Sequence, residues 1–172
     1  AGCGIQTAGL CVGGESGPTY STLSEEYNGT SWTEGNDLNT GRAFLTALGL
    51  QTAALAVGGY DGSSGYGLVE QYNGSTWTEV ADLNTARSAL AGGGTQTSAL
   101  AFGGTAFVAV TESWNGSSWT EVADLAIGRR EFGGFGATGS LGLACGGNTG
   151  SYSNSTEEFT AATITDTIKN EG

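Results

Sequence analysis

Residues Leu68 to Arg87 read Leu-Val-Glu-Gln-Tyr-Asn-Gly-Ser-Thr-Trp-Thr-Glu-Val-Ala-Asp-Leu-Asn-Thr-Ala-Arg. Two short runs rich in aromatic and β-branched residues flank Asn73-Gly74, a pair typical of a two-residue type I′ turn because both residues tolerate positive φ. The stretch is therefore predicted to be a β-hairpin with a tight turn.

Near copies of this stretch lie on both sides of it. Trp32, Trp77 and Trp119 mark the three copies and are 45 and 42 residues apart. Double glycines recur with a similar period, at residues 13–14, 58–59, 103–104 and 146–147, so this second part of the unit is present four times. A period of this size is typical of stacked sheets or helix pairs, and no stretch has helical periodicity.

Each unit is predicted to supply four strands: a small-residue strand, a strand ending in Gly-Gly, a tyrosine strand and a tryptophan strand. The run Ala53–Val57 shows no alternation of apolar and polar residues, as expected of a strand covered on both faces. The sequence therefore predicts an all-β propeller of about four four-stranded blades, either a closed four-blade ring or an arc of a larger ring or assembly. One domain is predicted for residues 1–172, with repeat units at about 1–42, 43–87, 88–129 and 130–172.

The placement of small and threonine-rich segments adds two expectations. Most of the 32 glycines fall in the first two strands of a unit, which are predicted to lie nearest the propeller axis, where the blades crowd together. The fourth unit lacks the Asn-Gly pair and the tryptophan. Its threonine-rich run, residues 161–168, is expected to replace the outer strand or to pair with another chain.

Composition excludes several functions. The 17 acidic and 5 basic residues give a formal net charge of −12, which argues against nucleic acid and anionic membranes as partners. No apolar run is long enough for membrane insertion. Histidine is absent, which removes the commonest general base and metal ligand, so we expect no cofactor and no metal. Cys3, Cys11 and Cys145 lack Cys-x-x-Cys spacing and are interpreted as small core residues.

Several charged and aromatic residues recur in register. A carboxylate precedes each tyrosine, tryptophan or phenylalanine position, and an arginine follows each tryptophan strand. Acid–base catalysis is one interpretation, but a residue present in every blade is more simply structural, because a catalytic site needs one asymmetric constellation. The tryptophans could stack on sugars, although packing between blades is the simpler interpretation. The residues interpreted as structural are Glu25, Glu70, Glu112, Glu157, Arg42, Arg87, Arg129, Trp32, Trp77 and Trp119.

The segments that join the Gly-Gly strand to the tyrosine strand vary between units. Variable loops on a constant scaffold are where binding residues concentrate. Their unrepeated aromatic and acidic residues offer stacking faces and hydrogen-bonding groups, which suit a neutral carbohydrate. The predicted ligand-binding residues are Tyr20, Tyr60, Asp61, Tyr66 and Tyr152.

The repeat resembles the kelch repeat, through Gly58-Gly59, Tyr72, Trp77 and Arg87. This resemblance implies the blades of a β-propeller, and kelch propellers usually close with more than four blades. More narrowly, the segments Thr95–Gly104 and Trp114–Val122 are similar to kelch-like tail-fibre or surface-appendage proteins of aquatic bacteria and their phages.

These observations favour a non-enzymatic structural or adhesive component of a virion or extracellular fibre, which binds a partner, a glycan or a cell-surface receptor through its variable loops. The alternatives are a propeller enzyme acting on carbohydrate, such as a glycosidase, and a kelch-type adaptor for protein interactions. We expect an extracellular or virion-surface location. We also expect self-association into an oligomer or filament if four units do not close a ring, because exposed strand edges would then pair with neighbouring chains.

Overall fold

The computed structural model describes residues 1–161 and 167–168, which form four antiparallel sheets of four strands each. The strands of each sheet pair in chain order, so every sheet is a meander closed by hairpins. We call the sheets blades 1 to 4. The predicted all-β architecture of four four-stranded blades is confirmed.

The strand bounds follow the repeat. Blade 1 contains β1 (Gly2–Ile5), β2 (Ala8–Ser16), β3 (Thr19–Tyr27) and β4 (Trp32–Glu34). Blade 2 contains β5 (Thr46–Leu50), β6 (Ala53–Val57), β7 (Val69–Tyr72) and β8 (Trp77–Glu79). Blade 3 contains β9 (Ala91–Thr95), β10 (Ser98–Phe102), β11 (Thr111–Trp114) and β12 (Trp119–Glu121), with a 3-10 turn at Thr105–Phe107 before β11. Blade 4 contains β13 (Gly133–Thr138), β14 (Leu141–Cys145), β15 (Thr156–Thr160) and β16 (Thr167–Ile168).

The hairpin at Asn73-Gly74 is present, but the predicted two-residue type I′ turn is wrong. Tyr72 pairs with Trp77, so the loop has four residues, and Gly74 has a φ of 88° whereas Asn73 has no positive φ. The Asn73 side chain instead accepts hydrogen bonds from the backbone N–H groups of Ser75 and Thr76, both at 2.9 Å. The asparagine therefore closes the loop through its side chain rather than through a left-handed backbone.

The threonine-rich run of the fourth unit supplies the outer strand of blade 4. β16 pairs antiparallel with β15, with Glu157 opposite Thr167 and Thr156 opposite Ile168. The prediction of a substitute outer strand over residues 161–168 is thus confirmed at residues 167–168. Residues 162–166 of that run lie outside the described residues.

Neighbouring blades pack through their first strands. β1, β5, β9 and β13 contact one another in that order, as expected for the strands nearest a propeller axis. Side-chain volume is limited there: a Cβ on Gly93 of β9 would lie 2.2 Å from the backbone nitrogen of Gly136 in β13. Glycine at this position lets two backbones approach closely.

The hydrophobic core consists of three clusters, one between each pair of successive blades. Leu10 and Val12 of blade 1 pack with Tyr72 and Trp77 of blade 2. A second cluster joins blades 2 and 3 around Trp114 and Trp119, and a third joins blades 3 and 4 around Phe102 and Phe159. The core is therefore distributed over the junctions, so the stability of each blade depends on its neighbours.

A buried ion pair crosses each junction. An arginine that follows the outer strand of one blade contacts a glutamate in the third strand of the next, and all six side chains are at most 1% exposed. The pairs are Arg42 with Glu70, Arg87 with Glu112, and Arg129 with Glu157. These six side chains thus link successive blades and are not available to a ligand. Glu25, also interpreted as structural, is exposed instead, because no blade packs on this face of blade 1 in the described structure.

The central junction illustrates how the charges are satisfied. Glu112 also accepts hydrogen bonds from the backbone N–H and the side-chain amide of Asn84, both at 2.7 Å. Arg87 Nη2 donates to the carbonyl oxygen of Ala101 at 3.1 Å, and Arg87 Nη1 donates to the carbonyl oxygen of Thr85. Burial lowers the pKa of Arg87, and Glu112 opposes that shift. The attraction within the ion pair and these hydrogen bonds offset part of the desolvation cost of the two buried charges.

The blades form an open arc in the described part of the chain. No strand of blade 1 packs against a strand of blade 4 in the way that neighbouring blades pack. Trp32 of blade 1 is 52% exposed, whereas Trp77 and Trp119, at the same repeat position, are 6% exposed. A closed four-blade ring, one of the two arrangements that the sequence left open, is therefore not the arrangement of these residues.

The cysteines differ from the prediction at one position. All three are free thiols, and Cys3 and Cys145 are partly buried. Cys11 is exposed, so its interpretation as a core residue is wrong. The position is buried in blades 2 and 3, where Ala56 and Ala101 are covered by the preceding blade, and blade 1 has no such neighbour in the described structure. No helix among the described residues has the length and hydropathy needed to span a membrane.

The junction ion pairs predict an asymmetry between paired and exposed glutamates. Glu112→Gln is expected to lower the free energy of unfolding by about 3–5 kcal/mol, because it leaves the buried guanidinium of Arg87 without a countercharge. Glu121→Gln, at the exposed residue opposite Glu112 in the sheet, should change it by less than about 0.5 kcal/mol. Urea unfolding of both variants measures the difference. Equal effects would contradict the role given to the ion pair.

A second contact across the first junction predicts a pH dependence. The Tyr72 hydroxyl donates to Glu26 Oε1 of blade 1 at 2.6 Å, and burial, followed by this hydrogen bond, raises the pKa of Tyr72 from its usual value near 10 to about 12. Because the unfolded chain loses this proton near pH 10 and the folded chain near pH 12, the stability gained from Tyr72 is complete below pH 10 and is lost as the pH rises to 12.

Tyr72→Phe should therefore destabilise the protein by about 1 kcal/mol at pH 8 and have a smaller effect at pH 12. Thermal unfolding of both proteins across this pH range tests the expectation. A difference that grows with pH would contradict it.

Candidate functional site

A cleft of about 340 Å³ opens where the loops of blades 2, 3 and 4 meet. It lies on the side of the arc where the segment after each junction arginine leads into the next blade. The variable loops that follow β6 and β10 lie beside it. The lining residues are Phe44, Tyr60, Ser63, Ser64, Gly65, Ser88, Ala89, Thr105, Arg130 and Glu131.

Three of the lining residues share one unusual backbone conformation. Phe44, Ala89 and Glu131 each stand two residues after a junction arginine and have φ angles of 53°, 52° and 53°. The Ala89 N–H donates to the Phe44 carbonyl at 2.8 Å, and the Glu131 N–H donates to the Ala89 carbonyl at 3.0 Å. This chain of hydrogen bonds stabilises a left-handed conformation that is uncommon outside glycine. Such conformations cluster at functional sites.

Aromatic side chains form one side of the cleft. The Tyr60 ring lies edge-on to Tyr20, with centroids 5.9 Å apart, and 6.4 Å from the ring of Phe44. Two backbone hydrogen bonds to Ala43, at 2.8 and 3.0 Å, fix Tyr60 in place. Phe44 remains 52% exposed. The rings of Tyr60 and Phe44 therefore offer a rigid apolar surface to a ligand in the cleft.

The loop after Tyr60 is closed by Asp61. Its Oδ1 accepts hydrogen bonds from the Ser63 N–H at 2.7 Å, the Ser63 hydroxyl at 2.8 Å and the Ser64 N–H at 2.9 Å. These bonds, with the backbone N–H groups of Ser64 and Ser63 first, lower the pKa of Asp61, and a hydrogen bond to Asp61 raises the pKa of Tyr66. The carboxylate is engaged within its own loop, where it positions the serines that line the cleft.

The opposite side of the cleft carries its charged groups. The guanidinium of Arg130 lies over the ring of Phe107, 5.0 Å from its centroid, and its Nε is 3.7 Å from Glu131 Oε1. The backbone of Arg130 pairs with Asn148 in both directions at 3.0 Å. Among the described residues, Arg130 donates no side-chain hydrogen bond, and its Nε is buried, so its Nη groups are the donors left for a polar ligand.

The cleft combines aromatic faces, hydroxyl groups and one exposed ion pair. Glu131 is the single carboxylate in its lining. No group of three potential metal ligands occurs within the described residues, and histidine is absent from the chain. These groups can hold a polar ligand that has apolar faces. A hydrolysis that requires two facing carboxylates has only one candidate group here.

The structure brings four of the five predicted loop residues together. Tyr20, Tyr60, Asp61 and Tyr66 meet at the loop after β6, where Tyr60 alone lines the cleft, and Tyr20 packs on Gly62 of this loop. Tyr152 lies apart from them on blade 4, where it is 95% exposed.

The prediction missed Phe44, Arg130 and Glu131. Arg130 could have been found from the repeat, because the residues at its position in the preceding units are Ala43 and Ser88 and not arginine. Phe44 and Glu131 share their repeat position with Ala89, and only their different side chains distinguish them.

Comparison with known proteins supports the fold and leaves the ligand open. No protein-family model matches the sequence, and no curated protein matches it. Among solved structures, "Structure of YjhT" superposes with a TM-score of 0.73 at 12% sequence identity, covering 86% of this chain and 52% of that one. The chain thus spans about half the length of YjhT, and at this identity the similarity concerns the fold, which is of the propeller type.

Proposed function

We propose that this protein is a non-enzymatic structural or adhesive protein that binds a glycan in the cleft between the loops of blades 2, 3 and 4. The observation that carries the proposal is the lining of the cleft, where Tyr60 and Phe44 form one wall, and serine and threonine hydroxyls and the pair of Arg130 and Glu131 supply its polar groups. Ligand sites of this kind combine an apolar surface with a few placed polar groups.

The cleft matches the two kinds of surface on a sugar ring, its apolar C–H groups and its polar hydroxyl groups. The C–H groups of a sugar can lie on the exposed ring of Phe44 and on Tyr60, and burying these faces on binding is favourable. The hydroxyls of Ser64 and Thr105 can exchange hydrogen bonds with sugar hydroxyls, the Ser63 hydroxyl can accept one, and the Nη groups of Arg130 add donors.

The alternatives have less support from the cleft. A glycosidase would use two carboxyl groups on either side of the scissile bond, and Glu131 is the single carboxylate of the lining. An adaptor for protein interactions rests on the resemblance to kelch repeats alone. We therefore place glycan binding first.

The proposed setting is a virion or an extracellular fibre. It rests on the resemblance of the repeats to kelch-like tail-fibre and appendage proteins. The net charge of −12 is compatible with a glycan ligand that carries no charge. Self-association into an oligomer or filament stays a prediction, and light scattering on the purified chain tests it.

A glycan array followed by calorimetry with the best ligand tests the proposal. Tyr60→Ala is expected to weaken binding about tenfold or more, which corresponds to ~1.4 kcal/mol, because it removes a stacking surface that the backbone holds rigid. Tyr60→Phe keeps the ring and should retain most of the affinity. Tyr152→Ala is the matched control, since this tyrosine is exposed and lies outside the cleft.

Two results would contradict the proposal. One is a glycan whose affinity is unchanged by Tyr60→Ala but reduced by Tyr152→Ala. The other is release of reducing sugar from the bound glycan by the wild-type protein and not by Glu131→Gln, which would identify an enzyme.

The role of Asp61 gives a separate prediction. Asp61→Ala removes the acceptor that closes the loop, so the Ser63 and Ser64 amides should exchange with solvent faster and glycan affinity should fall severalfold. Asp61→Asn keeps an oxygen acceptor at this position and should preserve both properties in large part. Hydrogen exchange followed by NMR measures the loop, and calorimetry measures the affinity. Unchanged amide exchange in Asp61→Ala would refute this role.

A further inference from the structure

The face of blade 1 that points away from blade 2 is built like the faces that are buried inside the arc. Its residues stand at the repeat positions that the preceding blade covers in blades 2 and 3. In blade 1 the side chains at these positions are exposed; Trp32, for example, is 52% exposed. The exposed residues of this face are Cys11, Leu23, Glu25 and Trp32, which correspond to Ala56, Leu68, Glu70 and Trp77 of blade 2.

Glu25 has the register of the junction glutamates. It lies opposite Glu34 in the sheet, as Glu70 lies opposite Glu79 and Glu112 opposite Glu121. The carboxylates of Glu70 and Glu112 each bind an arginine that follows the preceding blade, whereas the carboxylate of Glu25 has no ion pair or hydrogen bond with any described residue.

A groove on this face contains both groups that a junction arginine contacts. At the first junction, Arg42 binds the carboxylate of Glu70 and the carbonyl oxygen of Ala56. The groove has a volume of about 220 Å³, and its lining includes Glu25 and Cys11, which stand at those two positions. The face therefore has the acceptors for a guanidinium and the apolar surface around them.

We propose that this face docks a further blade of the same repeat, which precedes blade 1 in the same polypeptide and supplies an arginine to Glu25. At each internal junction the donor and acceptor blades are consecutive in the chain, and the next blade begins four residues after the arginine. The contact would continue an interface that the structure already contains three times. YjhT, of which this chain covers 52%, shows that a structure with this fold can be about twice as long.

A second copy of the chain fits this face less well. Of its four arginines, Arg42, Arg87 and Arg129 are buried in their own junctions, and Arg130 lies in the cleft. The remaining basic residue, Lys169, lies outside the described residues. No arginine at a junction position is therefore available to Glu25 from another copy.

The proposal is tested by placing a copy of residues 46–90 directly ahead of Ala1. Ala1 and Ala91 hold the same repeat position, because Gly2 pairs with Cys11 as Gly92 pairs with Ala101, so the fusion reproduces the junction between blades 2 and 3. Labelling of Cys11 by a maleimide, read by peptide mass spectrometry, should slow by about tenfold or more in the extended chain. Labelling of Cys145, on blade 4, is the internal control and should not change.

The arginine is tested by a double-mutant cycle in the extended chain. Replacing by Gln either Glu25 or the copied arginine that derives from Arg87 should lower the melting temperature by several degrees and restore labelling of Cys11. The two changes together should cost little more than one alone. In the 172-residue chain, Glu25→Gln should leave the melting temperature unchanged, and Glu79→Gln, at an exposed residue of blade 2, should be neutral in both chains.

Three outcomes would overturn the proposal. The first is fast labelling of Cys11 in the extended chain and also in a second extended chain that carries a copy of residues 1–45 instead. The second is protection of Cys11 that does not depend on Glu25 or on the copied arginine. The third is a dimer of the 172-residue chain in which Cys11 is protected, because a second copy would then occupy the face.

Discussion

A buried arginine–glutamate pair at each junction is the interaction on which the arrangement of the blades depends. Apolar contact between glycine-rich sheets is weakly directional, because small side chains provide few knobs to fix an angle or a register. Arg87 supplies this direction: it contacts the carbonyl of Thr85 in its own segment, and the carboxylate of Glu112 and the carbonyl of Ala101 in the next blade. Because a misplaced blade would leave a buried charge without a partner, the pair penalises alternative packings more strongly than it stabilises the correct one.

The sequence predicted the blades well because their signals are local. Asn-Gly pairs, Gly-Gly pairs and short aromatic runs identify hairpins and strand ends within a few residues, and the repeat period confirms each unit with three others. The sequence does not predict which repeated arginine pairs with which repeated glutamate. Arg87 follows Glu70 by 17 residues and precedes Glu112 by 25, and the sequence gives no reason to prefer the second. The choice depends on the rotation of one blade against the next, which is a property of tertiary packing. The same limit applies to Asn73, because an Asn-Gly pair is compatible both with a type I′ turn and with a loop that the asparagine side chain closes.

The site was predicted in part for a similar reason. Tyr20, Tyr60, Asp61 and Tyr66 attract attention because they interrupt a repeat, and they do gather at one loop. Phe44 and Glu131 were not predicted, because they occupy a repeated position whose left-handed backbone is adopted here by residues other than glycine. Since such a φ is usually signalled by glycine or asparagine, a phenylalanine or a glutamate gives no indication of it. The cleft exists only when three such positions from three blades are brought side by side.

This position also explains how a nearly symmetric scaffold produces an asymmetric cleft. The hydrogen bonds from Ala89 to Phe44 and from Glu131 to Ala89 use backbone groups alone, so the chain of contacts is the same whatever the side chains are. Substitution there changes the chemistry of the cleft without moving its frame, as the sequence Phe, Ala, Glu across three blades illustrates. The junction arginine two residues earlier fixes the same segment from the buried side. Structural constancy and chemical variation are therefore separated by two residues. The side of the arc where these segments meet can vary its side chains on a fixed backbone, and this is why the proposed ligand site is placed there.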